Sequence, residues 1–148
     1  MKKSARKGFT LVELLIVIVV IGILSAMMML SSTEAVSSAK AADIISDLRN
    51  LKTAALAWYA DNLDKVDGGS KTFGDGIKNE IFKYLGTVSV DSHYTFQKVD
   101  SEWYVGRTGI DAKVGEKLDA RKGTVGLTAT AKSSDTTAIS TAAYMFVK

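Results

Sequence analysis

Residues Phe9 to Leu30 read FTLVELLIVIVVIGILSAMMML, a run of 22 residues with one charge, Glu13. As a helix this run is about 33 Å long, close to the hydrocarbon thickness of a bilayer. The β-branched block Ile16 to Ile21 would weaken a helix in water. In lipid, however, a lone segment satisfies its own backbone only as a helix. Lys2, Lys3, Arg6 and Lys7 precede the span, so the N-terminus is expected inside and the remainder outside. A plain membrane anchor leaves Glu13 unexplained. A secretory signal peptide wants a small-x-small site after the apolar core, and Leu24-Ser25-Ala26 fits that poorly.

Downstream, apolar residues keep helical spacing. Ile44, Ile45, Leu48, Leu51, Ala55, Trp58, Tyr59 and Leu63 advance in steps of three and four, and Asp43, Asp47, Arg49, Asn50 and Lys52 take other faces. No proline or glycine interrupts residues 23–67. The spacing therefore predicts one helix from about Phe9 to about Asn62, roughly 80 Å long, apolar all round in its first half and amphipathic in its second. Gly22 is its one weak point, costing about 1 kcal/mol relative to alanine. Asp67-Gly68-Gly69 ends it.

Ile77, Ile81, Phe82 and Leu85 then suggest a short helix closed by Gly86. Tyr94 to Val99 alternates, Asp100-Ser101 turns, and Glu102 to Arg107 is aromatic and β-branched, which reads as a hairpin. Ile110, Val114 and Leu118 allow another turn or two of helix. Thr124 to Ala131 and Ala142 to Val147 complete a four-stranded sheet, and the apolar stripe of the long helix is its partner.

Composition narrows the chemistry. The chain has 148 residues, no cysteine, no proline, one histidine and a net charge of +3. Disulfides, thiolate metal sites and cysteine nucleophiles are excluded, as are histidine-cluster metal sites. The positive charge is local: residues 9–148 hold 15 basic and 16 acidic side chains. There is thus no basic stripe for nucleic acid, although Lys117, Arg121 and Lys122 form a local cluster.

The run Lys7-Gly8-Phe9-Thr10-Leu11-Val12-Glu13, continued by Leu14 to Leu30, resembles the prepilin N-terminal motif. Type IV pilins, the pseudopilins of type II secretion and competence pilins share that motif. The resemblance implies a bacterial protein cut by a prepilin peptidase between Gly8 and Phe9 and methylated on the new Phe9 amine. It implies that mature subunits leave the inner membrane at an assembly platform, alongside minor pilins, and pack their N-terminal helices into a filament of like subunits. The expected location is the inner membrane first, then a cell-surface filament, or the periplasm for a pseudopilin. No cofactor is implied.

Physical reasoning bears on the same residues. A small residue at Gly8 admits a protease close to the backbone. Glu13 costs up to about 3 kcal/mol at mid-bilayer, so its carboxylate wants a partner. Cleavage creates one in the Phe9 amine, and a neighbour's amine paired with Glu13 would set the register of an otherwise featureless apolar bundle. An interfacial glutamate that only reaches the headgroups is the plainer alternative.

The chain also departs from the family pattern. Many pilins carry a proline late in the apolar helix and close a C-terminal loop with a disulfide; this chain has neither residue. Major pseudopilins often use calcium there. Asp61, Asp64, Asp67 and Asp75 are the acidic candidates, but they match no EF-hand spacing and read better as a solvated helix end. His93 beside Asp91 and Ser92 reads as a surface turn rather than a triad. Trp58, Tyr59, Tyr94, Phe96, Trp103 and Tyr104 read as the seam between helix and sheet or its edge, with an exposed stacking strip as the sharper option.

The expected fold is α+β, a long helix packed on a small antiparallel sheet. The expected regions are a leader (1–8), a membrane and filament-core helix (9–30), its amphipathic half (31–63) and a β-rich globular part (64–148). The expected function is that of a type IV pilin and not an enzyme. The alternatives are a pseudopilin of type II secretion or competence, and a single-pass membrane protein with an external enzyme or sensor. No pair of catalytic groups in residues 64–148 supports the last.

Overall fold

One helix, α1, covers Leu11–Asp61 without interruption in the computed structural model. The structure describes residues 8–67, 73–86, 92–131 and 137–148. Gly22 is helical and leaves α1 unbroken, and a Cβ there would meet nothing within 4 Å. By contact the chain divides between Val36 and Ser37 into two units.

The first unit is the apolar part of α1. It is long and apolar enough to cross a membrane, with a mean hydropathy of 2.8 over its best window. Its side chains are exposed on every face: the large hydrophobic residues from Leu11 to Met29 keep between 49% and 82% of their surface open. Water does not tolerate such a helix, so lipid or other apolar helices must cover it.

The second unit begins at Ser37 and is built around the amphipathic part of α1. Ala41, Ile44, Ile45, Leu48, Leu51, Ala54, Ala55 and Trp58 are buried in one core with the sheet. Leu63 was expected in this stripe but lies exposed. The cause is a break in phase. α1 stops at Asp61, Asn62 is a turn whose side chain donates back to the Trp58 carbonyl at 2.9 Å, and a short α2 (Leu63–Asp67) restarts the chain. Asn62 thereby takes the buried position and Leu63 is turned out.

A 3-10 turn at Asp75–Ile77 leads into α3 (Lys78–Lys83), which buries Ile81 and Phe82. β1 (Tyr94–Val99) and β2 (Glu102–Thr108) form the expected hairpin, with Phe96 opposite Val105. Asp100 makes the turn at φ 56°, a left-handed conformation that Asp adopts more readily than most residues. α4 (Ala112–Asp119) buries Val114, Gly115 and Leu118. β4 (Ala142–Phe146) then pairs antiparallel with both β2 and β3 (Leu127–Thr128), giving the order β1-β2-β4-β3.

The α+β expectation holds, with one correction. The sequence predicts a strand within Thr124 to Ala131, yet Lys122–Val125 is a helical turn, α5, and only Leu127–Thr128 pairs as β3. Gly126, at φ 74°, closes the helical turn and redirects the chain into the sheet.

Aromatic packing fixes helix to sheet. Trp103 stacks on Phe73 with centroids 4.5 Å apart and meets the Tyr59 edge at 4.9 Å and Trp58 at 6.4 Å. Trp58 Nε1 donates to Glu80 Oε2 at 2.9 Å, which satisfies a nearly buried indole and ties α1 to α3. Of the six aromatics expected in the seam, Tyr104 departs. It is fully buried, but it packs edge-on to Phe146 and donates to Glu102. Period-two alternation turns it away from its neighbours Trp103 and Val105, which join the core.

Candidate functional site

The candidate site is the entry to α1. Gly8, Phe9 and Thr10 precede the helix in non-helical backbone, and all three are exposed, Phe9 at 91%. A Cβ at Gly8 would meet nothing within 4 Å among the described residues. Lys2, Lys3, Arg6 and Lys7 lie outside the described residues.

Thr10 and Glu13 together build the helix start. The Glu13 amide donates to Thr10 Oγ1 at 3.2 Å, while the Thr10 amide donates to Glu13 Oε2 at 2.8 Å. This reciprocal pair is a capping box, in which each side chain satisfies a backbone donor that the first helical turn leaves open. The Thr10 hydroxyl also donates to the same Oε2 at 2.8 Å. The structure thus joins Glu13 to Thr10, which the reading of Glu13 alone missed. The signal was present as Thr10-Leu11-Val12-Glu13, the S/T-x-x-E pattern ahead of an apolar run. Both bonds reach Oε2. An ionised carboxylate has about four acceptor positions on two oxygens, so Oε1 keeps capacity for a further donor.

The acidic candidates do not converge. Asp61 accepts the Tyr84 hydroxyl at 2.8 Å, a bond that holds this phenol above its ordinary pKa, and Asp64 is exposed. The side chains of Asp67 and Asp75 lie outside the described residues. Among the described residues, no group of three or more His, Asp or Glu could hold a metal ion. His93 is exposed at the hairpin entry, where its carbonyl accepts the Thr108 amide at 2.9 Å and its ring lies against Gly109. Asp91 falls outside the described residues.

Comparison with known proteins points the same way. Residues 3–29 match the family model of the prokaryotic N-terminal methylation motif. Two relatives, both type IV major fimbrial protein FimA of Dichelobacter nodosus, are similar over longer stretches. One is 33% identical over 104 residues, 67% of this chain and 61% of its own length. The other is 37% identical over 79 residues, 53% of this chain and 46% of its own. The chain therefore spans less than two thirds of either relative. No solved structure matches it. With the motif over the apolar helix, a similarity reaching well past that motif, and a long helix carrying a small antiparallel sheet, the chain belongs to the type IV pilin superfamily.

Proposed function

We propose that the chain is the structural subunit of a type IV filament on the bacterial surface and not an enzyme. The observation that carries this is the exposed apolar helix from Leu11 to Met29, which needs cover on every face. Before assembly the cover is lipid. The span from Phe9 to Leu30 holds fourteen Leu, Val, Ile and Phe residues, each favouring insertion by about 0.3–0.6 kcal/mol at the bilayer centre, which outweighs the roughly 3 kcal/mol cost of one carboxylate. After assembly the cover is the same helix of other subunits.

Processing makes the exchange possible. A prepilin peptidase cuts between Gly8 and Phe9, removes the basic leader and methylates the Phe9 amine. The new cation belongs with Glu13 of a neighbouring subunit. Because the Thr10 bonds occupy only Oε2, Oε1 can take that amine without dismantling the helix start. Residues 31–61 complete the helix, and the part that follows contributes the outer face of the fibre. The relatives' name, major fimbrial protein, supports a surface fibre.

Mass spectrometry of the mature chain tests the processing, with N-methyl-Phe9 expected as its first residue. A start at Met1 or after Ala26 overturns the reading. Glu13→Ala should insert into the membrane normally and yield no filaments. Normal filaments from that variant would remove the register role of Glu13.

A further inference from the structure

Two open grooves flank α1 in the unit that begins at Ser37, and their charges are opposite. The first, about 380 Å³, is lined by Ala42, Ile45, Ser46, Arg49 and Asn50 of α1 with Arg121 and Val125. Its only charged residues are the two arginines. Both are exposed, and neither guanidinium has a hydrogen bond or ion pair with another described residue. The second groove, about 270 Å³, takes Asp43 and Asp47 from α1 and Asp111 from the entry to α4. Three carboxylates there face two cations, Lys40 and Arg107, and the Arg107 guanidinium lies 4.9 Å from the Tyr94 ring centroid. The grooves sit at the two ends of α4: Asp111 precedes it and Arg121 follows it.

We propose that these grooves are the two halves of a contact between neighbouring copies of this chain, the arginine groove of one subunit seated on the acidic groove of the next. The inference rests on the filament reading above. A head-to-tail polymer needs two different and complementary patches on each subunit, because a single self-complementary patch closes a dimer. This unit carries such a pair, built from one helix and therefore held at a fixed separation. Complementary potentials of this kind set register and exclude wrong docking more than they add raw affinity. An arginine fork suits carboxylates because it can bond both oxygens at once. The apolar helix at the N-terminus has no such directional feature beyond Glu13, so charged grooves further along the chain supply the rotational register that apolar packing lacks.

The test uses the full chain in cells. One variant reverses the arginine groove (Arg49→Glu with Arg121→Glu), and a second reverses the acidic groove (Asp43→Lys with Asp111→Lys). Asp47 is left alone because it accepts the Tyr94 hydroxyl. Asp111 makes no side-chain capping bond, so its loss leaves α4 intact. Each variant alone presents like charge on both flanks and should lose filaments at physiological salt. Co-expressed, an all-acidic subunit alternates with an all-basic one, and filaments should return.

A second measurement exploits the absence of cysteine. The pair Asn50→Cys with Asp111→Cys, treated with a short bis-maleimide, should give a ladder of cross-linked oligomers from filaments, and either single variant should give none. Filaments of normal yield and salt tolerance from both reversal variants, or no ladder, overturn the contact while leaving the filament reading intact. Normal filaments combined with lost binding of a polyanion such as heparin would assign the arginine groove to an external anionic ligand and likewise overturn it. If the unmodified chain yields N-methyl-Phe9 but no filaments, the filament reading fails and this contact fails with it.

Discussion

The Tyr94 hydroxyl donates a hydrogen bond to Asp47, so the first residue of the sheet is bonded to the long helix across 47 positions of sequence. The Arg107 guanidinium lies 4.9 Å from the same ring, and the Tyr94 carbonyl accepts the Lys78 ammonium. One residue therefore joins α1, β2 and α3 at a single corner. Burial, then the acceptor Asp47, pushes the Tyr94 phenol up to about 12.

That shift has a sign. A phenol raised above its ordinary value of 10 supports the fold in its neutral form, fully below pH 10, and loses that support as pH rises through about 12. Urea unfolding of the detergent-solubilised chain should show stability falling more steeply from pH 10 to 12 than in Tyr94→Phe. At pH 7 the same substitution should cost about 1–2 kcal/mol, since it leaves Asp47 without its donor. Phenolate absorbance provides the direct check. If every tyrosine titrates near 10, the corner is open to solvent and the link is absent.

Gly115 sits where α4 crosses the segment before β4. A Cβ there would lie 2.3 Å from the Ser140 carbonyl oxygen, and that neighbour is backbone. Gly115→Ala must push α4 off this segment, at a cost of about 1–3 kcal/mol despite alanine's better helix propensity. Gly22→Ala, with nothing within 4 Å, should be neutral or slightly stabilising. Thermal unfolding of the pair separates crowding from propensity.

Asp119 holds the approach to β4 by a different device. Its Oδ1 accepts the Ile139 amide at 2.9 Å and meets the Lys122 ammonium at 2.9 Å, and Lys122 also donates to the Thr137 carbonyl at 3.3 Å. The Lys122 bond first, then the Ile139 amide, keeps the Asp119 carboxyl below its usual 3.8. Support from a lowered carboxylate is complete above that value and is lost as pH falls beneath it. Hydrogen exchange at the Ile139 amide, corrected for its intrinsic rate, should quicken in Asp119→Ala at pH 7. It should also quicken in the unmodified chain under acid. Equal exchange in both chains would show that the clasp carries no load.

The long helix and the hairpin were legible in sequence because their signals are local. Steps of three and four mark Ile44 to Trp58, and alternation around Asp100-Ser101 marks the turn. The failures have local causes as well. Thr124 and Val125 are β-branched and read as strand, but the left-handed Gly126 ends a helical turn there instead. Leu63 kept the apolar period, yet the Asn62 side chain folding back on Trp58 shifted the phase by one residue. Glu13 was singled out for its charge, whereas its bonds to Thr10 follow from a pattern three residues long that charge alone does not reveal. The sequence showed parts of the grooves, Arg121 in a basic cluster and Arg49 with Asp43 and Asp47 on the polar faces of the helix, but not their assembly. Arg49 and Arg121 are brought together only by packing, as are Asp47 and Asp111.

The placement of β4 between β2 and β3 carries a consequence for biogenesis. β1 and β2 can zip together as soon as both have emerged, because two residues separate them. β3 has no strand to pair with until Ala142 to Phe146 arrive, and β2 keeps one edge bare until the same moment. A chain stopped short of Ala142 therefore carries an open strand edge, the feature that invites aggregation and proteolysis. Only a chain translated through β4 can close its sheet, because β2 and β3 wait for the same last strand.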